Sequence, residues 1–276
     1  MSIIYINPYR FAAAAAYDPD AQSYITAVEA ADGQALEVGV RDAINAFVVG
    51  CKADGTWSAI KASCILAGAR TLAGALVPLV GTAPTNYNFV AGDYDRETGL
   101  KGNGSTKYLD SNRNGNQQGR DNFHHSVFVT DAGSTNTNRA HISTPYSGQS
   151  SSDLSDFLAQ NNNTLIIRNR NANGDSNNIL ASPAGSTIDF LGSNRNNSNS
   201  HSFRRQSVTT VVATGNSAVS FPPLNGNMAV FARPGSPAFL YSDARLAFYS
   251  IGESLDLALL DARVTTLVNA IGAAIP

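Results

Sequence analysis

The sequence predicts a mainly β protein: an antiparallel β-sandwich of the jelly-roll type, preceded by a small helical N-terminal segment and closed by a C-terminal helix. Loops dense in Asn, Ser and Gly separate the apolar runs of the middle of the chain, and these residues accept the backbone of tight turns. The runs alternate as pleated strands require. They lie at residues 127–129, 165–167, 208–212, 228–231 and 246–251.

The N-terminal segment changes character near residue 20. Residues 1–20 mix aromatic residues, prolines and an alanine run. We interpret them either as an extended arm that packs on another subunit or as a strand laid over its own domain. Apolar residues then recur at helical spacing, which predicts an amphipathic helix at about residues 34–50.

A second, shorter helix is predicted to follow, marked by Trp57, Ile60 and Cys64. Thr56 stands where it would cap this helix. The two helices would form a hairpin held together by Trp57. Cys51 and Cys64 are too few for a disulfide scaffold and are expected to be small apolar core residues.

The C-terminal helix is expected to begin at Ser254 as its cap. Asp256 and Asp261 would lie in its first turns, where carboxylates suit the helix dipole. Apolar residues at helical spacing then form one face that another part of the protein, or a second subunit, must cover.

Composition excludes two classes of partner. Charged residues make up 14% of the chain, against about 25% in typical soluble domains, and the net charge is -2. Nucleic acid and anionic membranes would require a strongly basic face, so neither is expected as a partner. The apolar stretches at residues 11–17 and 73–81 are shorter than the ~20 residues that span a bilayer, so no membrane insertion is expected, and no secretory signal is visible.

Several stretches resemble a group of structural proteins of tailed bacteriophages. In the N-terminal segment these are DPDAQSYIT at residues 18–26, AINAFV at 43–48 and CKADGTWSAIKA at 51–62. In the body they are GNGSTKYL at residues 102–109, FHHSVFVT at 123–130, FLGSNR at 190–195 and ARLAFYSIGE at 244–253. The resemblance covers most of the chain from residue 18 onward and includes no catalytic signature.

This resemblance implies a laminin-G-like, concanavalin-type sandwich carried on a virion. Residues 1–85 would form an arm and helical hairpin for attachment and oligomerisation, and residues 86–276 the recognition domain with its C-terminal helix. The expected partners are other virion proteins, further copies in a homotrimer, and host-surface polysaccharide. The protein would be made in the host cytoplasm and located in the virion.

Asparagine-rich loops suggest where a glycan would bind. Nineteen asparagines lie between residues 101 and 200. An amide side chain both donates and accepts hydrogen bonds, as sugar hydroxyls require, and an aromatic face can stack on a pyranose ring. The alternative is that these asparagines only permit turns and prevent unwanted edge pairing. The candidate ligand-binding residues are Asn112, Asn114, Tyr146, Asn161, Asn162, Asn194, Arg195 and Asn196.

Other polar clusters are ambiguous. An arginine set could form a shallow basic face for an acidic polysaccharide, or could simply keep exposed strand faces soluble. The acidic segment at residues 92–100 could offer the carboxylates of Asp93 and Asp95 to calcium, or could be a solvated turn. His124 and His125 should point to opposite faces of a strand and so cannot share one ion. The arginine set is Arg168, Arg170, Arg195, Arg204 and Arg205.

Enzymatic activity is not expected. Glycoside hydrolysis needs a pair of carboxylates facing each other across the bond, and the four glutamates (Glu29, Glu37, Glu97 and Glu253) show no paired acidic strand pattern. No nucleophile elbow, phosphate-binding loop or dinucleotide fingerprint is present. Two functions remain: a tail-fibre or receptor-binding protein whose lectin-like sandwich attaches to host glycans, or a capsid decoration or baseplate protein that binds no sugar.

Overall fold

The computed structural model of the chain describes residues 16–134, 138–145, 155–161, 164–171, 179–181, 188–213 and 220–276. These residues form two antiparallel sheets packed face to face, with a layer of helices on the outer face of one sheet. The predicted fold class, a mainly β sandwich with N-terminal helices and a C-terminal helix, is confirmed.

The helices are α1 (Pro19–Asp32), α2 (Val38–Ala53), α3 (Leu72–Ala75) and α4 (Leu257–Ala274). The strands of the first half are β1 (Ile60–Ile65), β2 (Thr85–Tyr87), β3 (Tyr94–Asp95), β4 (Gly99–Lys101), β5 (Tyr108–Asn114), β6 (Phe123–Asp131) and β7 (Arg139–Ser143). Those of the second half are β8 (Ser155–Asn161), β9 (Thr164–Asn171), β10 (Ile179–Ala181), β11 (Asp189–Asn197), β12 (Ser200–Arg205), β13 (Val208–Ala213), β14 (Asn227–Val230) and β15 (Arg245–Gly252).

Each sheet mixes strands from distant parts of the chain. Sheet A runs in the order β13-β12-β11-β6-β15-β4-β3, and β1 also pairs with β15. Sheet B runs in the order β10-β9-β8-β7-β14-β5-β2. All five predicted apolar runs fall on strands, namely β6, β9, β13, β14 and β15.

The space between the sheets holds the main core. Strand β6 alternates, so that Val127 and Val129 face this core while Phe128 faces the helix layer. Tyr249 and Leu191 are fully buried in the same inter-sheet cluster. Burying side chains of this size removes about 1.5–3 kcal/mol each of unfavourable exposure to water.

The helices form a third layer rather than a detached unit. Phe47 of α2 makes an edge-to-face contact with Phe248 of β15, with ring centroids 5.7 Å apart. One ion pair lies within the layer, between Asp54 at the end of α2 and Arg263 on α4 at 2.7 Å. Another joins the layer to sheet A, between Asp261 on α4 and Arg204 on β12 at 2.6 Å.

The predicted second helix is wrong. After a short 3-10 turn at Trp57–Ala59, residues Ile60–Ile65 form strand β1, which pairs with β15. Both faces of this segment are covered, and a run that is buried on both sides does not show the alternation that identifies a strand from sequence. The Thr56 hydroxyl does not cap a helix but donates to the Cys51 carbonyl.

Two helices pack beside α2: α4, which makes the more extensive contact, and α1, which comes before α2 in the chain. Helix α1 starts with Pro19 in its first turn, where a missing N–H costs nothing, and Asp18 caps it. Trp57 lies partly buried against the helix-layer core. Because β1 belongs to sheet A, the segment before residue 85 and the sandwich share a sheet; their independence as domains stays a prediction.

The C-terminal helix is confirmed with a different cap. The carboxylate of Asp256 accepts from the amides of Ala258 and Leu259, whereas Ser254 donates to Asn122. By length and composition α4 could cross a membrane, but in this fold its apolar side packs into the helix-layer core. Cys51 and Cys64 are buried free thiols, as predicted.

Candidate functional site

A groove on the outer side of sheet B is the strongest candidate site, and we call it the tyrosine groove. Its volume is about 380 Å³. Its floor is Ala229 and Asp110 on the neighbouring strands β14 and β5, and Tyr108 lies two residues before Asp110 on the same face. The described lining residues are Tyr108, Asp110, Pro145, Asn225, Gly226, Asn227, Ala229, Pro234, Gly235 and Ala238.

The turn that carries the groove's amides is fixed by a close approach. A Cβ atom on Gly226 would lie 2.5 Å from the ring of Pro145, and the glycine also has a φ of 135°, which L-residues rarely adopt. The backbone amide of Gly226 donates to the side-chain oxygen of Asn114. The side-chain amide of Asn114 in turn donates to the side-chain oxygen of Asn225 at 2.8 Å. The turn is therefore held against β5 in one position.

Aromatic rings support one end of the tyrosine groove. Tyr87 on β2 stands opposite Tyr108 on β5, and the two rings stack in parallel with centroids 4.3 Å apart. Tyr241 lies on the same cluster, 6.2 Å from Tyr108. Burial, followed by the proximity of Tyr87, raises the pKa of Tyr108 to about 12, so its hydroxyl keeps its proton at physiological pH.

The polar groups of the tyrosine groove are oriented before any ligand arrives. One oxygen of Asp110 accepts from the amide of Asn112 at 2.8 Å, and the other accepts from the side chain of Asn227 at 3.3 Å. A carboxylate oxygen can accept about two hydrogen bonds. Each oxygen of Asp110 thus keeps acceptor capacity for a further donor.

Two other grooves lack this combination. The helix groove, of about 450 Å³, lies between the start of α4 and strands β11 to β13. Among its described lining residues are Asn194, Asn196 and the imidazole of His201, but no tyrosine, tryptophan or phenylalanine. The tryptophan groove, of about 460 Å³, lies between α1 and β1; it includes Trp57, Lys61 and Arg113 but no asparagine. A smaller groove of about 190 Å³ brings Phe203 and the amide of Gln206 together, but no carboxylate is among its described lining residues. In the tyrosine groove a tyrosine, a carboxylate and two asparagines meet.

The structure separates the predicted ligand-binding residues. Asn114 supports the tyrosine groove through Asn225, and Asn112 ties β5 to the carbonyl of Ala83 at 2.8 Å. Asn161 ends strand β8, without a described side chain. Tyr146 and Asn162 lie outside the described residues, although Pro145, the neighbour of Tyr146, lines the tyrosine groove.

The cluster of Asn194, Arg195 and Asn196 does not form one exposed site. Asn196 is exposed, but Asn194 is 7% exposed and accepts from the amide of Leu255. Arg195 is fully buried and donates to main-chain carbonyls, including that of Asn169 at 2.7 Å. Arg195 cannot reach a ligand in solvent from this position, because its side chain points between the sheets.

Of the two alternatives for the arginine set, a shallow basic face is not supported by the positions of Arg170, Arg195 and Arg204. Arg170 is 2% exposed and lies over the ring of Phe123, with the guanidinium 4.3 Å from the ring centroid. Arg204 is half-buried in its ion pair with Asp261. Strand alternation alone does not distinguish an outward arginine from one that binds backbone carbonyls inside the sandwich.

The acidic segment uses its carboxylates internally. Asp93 pairs with Lys107 at 2.5 Å, and Asp95 accepts from the amide and hydroxyl of Thr98. Across the described parts of the chain, no group of three or more acidic, histidine or cysteine residues is placed to hold a metal ion. Calcium binding therefore has no supporting geometry in this segment.

The four histidines are all buried. His124 contacts Ser250 and the carbonyl of Glu253 on the helix side of β6, whereas His125 faces the inter-sheet core near Phe123. Burial lowers the pKa of His124 to about 4 and that of His141 and His201 to about 3. Burial, together with the neighbouring His124 and Arg170, also lowers the pKa of His125 well below its ordinary value.

Solved structures share the sandwich fold at low sequence identity. A mutant of Trypanosoma rangeli sialidase displaying trans-sialidase activity is 13% identical with a TM-score of 0.50, and the match covers 85% of this chain and 40% of the sialidase chain. This chain thus spans about two fifths of that protein. No family model and no curated sequence matches the chain.

Two further structures resemble the chain more weakly. The CBM40 of a Ruminococcus gnavus IT-sialidase, bound to α2,3-sialyllactose, is 11% identical with a TM-score of 0.38, covering 51% of this chain and 81% of its own. The enzymatically active domain of bacteriophage CBA120 tailspike protein 2 is 13% identical with a TM-score of 0.43, covering 68% of this chain and 30% of its own.

Proposed function

We propose that this chain is a glycan-binding β-sandwich and that the tyrosine groove holds the sugar. The observation that carries the proposal is the meeting of Tyr108, Asp110 and Asn227 on one side of sheet B, with the carboxylate and amide already oriented. Binding sites for small polar ligands combine an apolar surface with a few fixed polar groups.

The chemistry of this groove matches a sugar ring. A pyranose has one face rich in C–H groups, which suits an aromatic surface, and hydroxyls that both donate and accept. Asp110 accepts from a hydroxyl, and the amide side chains of Asn225 and Asn227 can donate to or accept from others. Tyr87 is 40% exposed and extends the aromatic surface beyond the groove.

The proposed setting is a bacteriophage virion, where the protein attaches to host-surface polysaccharide as a tail-fibre or receptor-binding protein. Support comes from the resemblance of residues 18–62 and of the later strands to tailed-phage structural proteins. A homotrimer joined to other virion proteins would present several shallow grooves together. Weak single sites then gain strength through avidity, which can exceed the single-site affinity by about 10²–10⁴-fold.

Binding without hydrolysis is part of this proposal. Among the described lining residues of the tyrosine groove, Asp110 is the one carboxylate, whereas hydrolysis needs two. Glu29 and Glu37 are held in ion pairs of the helix layer. Glu253 pairs with Lys61 at 3.4 Å beside the tryptophan groove.

A second candidate is a decoration or baseplate protein that binds neighbouring subunits and no sugar. Exposed apolar residues on the helices favour it: Val38 is 66% exposed, Val49 46% and Leu259 39%. Exposed apolar residues mark contacts between subunits when they form one contiguous patch. This alternative keeps the fold and requires no ligand in the tyrosine groove.

Glycan arrays decide between the two candidates. The protein, multimerised on a streptavidin scaffold, should bind a subset of bacterial surface glycans, and Tyr108→Ala should reduce that binding by about tenfold or more, as expected for loss of a central aromatic contact. Asn196→Ala is the matched control, because Asn196 is exposed in the helix groove. Absence of binding by the multimer, or equal losses in both variants, would favour the structural role.

A further inference from the structure

The tyrosine groove has an uneven charge. Asp110 is its charged lining residue among those described, and no lysine or arginine lines it. Among the described residues the carboxylate of Asp110 forms no ion pair; it accepts from the amide of Asn112 and from the side chain of Asn227, which are both uncharged. The groove therefore presents a negative charge to whatever enters.

The basic residues nearest to Asp110 in the sequence, Lys107 and Arg113, lie away from the tyrosine groove. Lys107, one residue before Tyr108, is paired with Asp93 at 2.5 Å. Arg113, three residues after Asp110, lines the tryptophan groove together with Lys61. A ligand carboxylate in the tyrosine groove would meet Asp110 with no cation beside it, and like charges at close range repel each other strongly where water is partly excluded.

We infer that the tyrosine groove selects neutral or amino sugars and rejects acidic ones, with Asp110 as the specificity-determining residue. This selectivity rests on the proposed glycan-binding function. A sugar hydroxyl donates to Asp110 without charge, and a protonated amine donates with opposite charge. A uronic acid or a sialic acid brings a second carboxylate to a site that offers nothing to balance it.

Three matched probes test this selectivity. The same linker carries terminal N-acetylglucosamine, glucosamine or glucuronic acid, and affinity is measured by biolayer interferometry on the multimerised protein at low and high salt. Glucosamine should bind at least as tightly as the neutral sugar at low salt, and the acidic sugar at least tenfold more weakly. High salt should narrow both differences, because the effect is electrostatic.

The Asp110→Asn variant isolates the charge. It preserves the shape of the side chain and one acceptor, so binding of the neutral sugar should fall by less than tenfold while the penalty for the acidic sugar shrinks to about threefold or less. Asp189→Asn is the matched control, since Asp189 is exposed on β11 and its removal changes the net charge equally. If Asp110→Asn does not fold by circular dichroism, Asp110→Ser serves in its place.

The outcomes separate this selectivity from the function on which it rests. If the protein binds sugars and Tyr108→Ala abolishes binding, yet acidic and neutral probes bind equally, the inference about charge is overturned while glycan binding stands. An unchanged preference in both Asp110 variants also overturns it. If none of the three probes and no glycan on the array binds, the proposed function itself fails.

Discussion

The outer faces of the two sheets differ in what lies on them. On sheet A, Phe128 and Phe248 point into a cluster that α2 and α4 cover completely. On sheet B, Tyr108 and Asp110 are partly exposed and line an open groove. A strand can present an identical pleat to either environment, so the covering element decides whether a face contributes to stability or to recognition.

Stability and recognition can therefore be changed separately by substitution. Substitutions under the helices should lower the free energy of unfolding and leave ligand affinity unchanged in the molecules that stay folded. Substitutions in the tyrosine groove should lower ligand affinity and leave the free energy of unfolding nearly unchanged. The sandwich interior lies between the two faces and affects both.

Acid should produce the largest effect, because it acts on the interior. A histidine whose folded pKa lies below its ordinary value of 6.5 stays neutral in the native state, while the unfolded chain takes up a proton. Stability is therefore present above pH 6.5 and lost as pH falls towards 4, by about 1–2 kcal/mol for each buried histidine at pH 5. Urea unfolding at pH 7.5 and pH 5.0 measures the loss; equal stability at both values would contradict it.

Removing a ring from beneath the helices should come next. Phe248→Ala deletes a fully buried side chain that contacts Phe47 and should cost about 3–5 kcal/mol of unfolding free energy. Sugar binding by the folded fraction should not change. A loss of affinity as large as that of Tyr108→Ala would contradict the separation of stability from sugar binding.

The ion pair between α4 and sheet A should stabilise the covered face of that sheet. Asp261 is 4% exposed and pairs with Arg204, so Asp261→Asn leaves a partly buried guanidinium without its counter-charge and should cost about 2 kcal/mol. Asp256→Asn is the control, because asparagine also caps helices. Denaturant midpoints of both variants, measured side by side, give the difference in stability. Equal midpoints would show that the ion pair does not stabilise the fold.

The smallest change in stability belongs to the groove. Asn225→Ala removes the acceptor for the side chains of Asn114 and Asn116 on the surface and should shift the unfolding free energy by about 0.5 kcal/mol or less. Its effect on affinity for a bound glycan should be about three- to tenfold. A large loss of stability without a loss of affinity would show that this turn supports the sandwich rather than the ligand.

The sequence predicted the periodic elements well. All five apolar runs lie on strands, and the helix expected at residues 34–50 is α2. Periodicity did not identify helix α1, since small and polar residues occupy much of its length and its apolar stripe is weak; residues 18–26 were indicated only by the family resemblance. Strand β1 was mistaken for a helix because it is buried on both sides and its apolar spacing fits either period.

The site was harder to predict, for a physical reason. Asn225 and Asn227 come more than a hundred residues after Tyr108 and Asp110, and only strand pairing brings them together. The alternation of Tyr108 and Asp110 with the buried Leu109 and Ser111 was a local signal that two polar side chains share an outer face. Asparagine frequency, in contrast, marked turns and supporting hydrogen bonds as often as a groove.

The pairing of β1 with β15 has a consequence for synthesis. Cys64 stands opposite Tyr249, so an early strand receives its neighbour only after some 185 further residues have been translated. Contacts this distant in sequence form slowly. Until then β1 lacks the strand beside which it lies in sheet A. A nascent chain stalled before residue 245 should therefore bind chaperones on the ribosome.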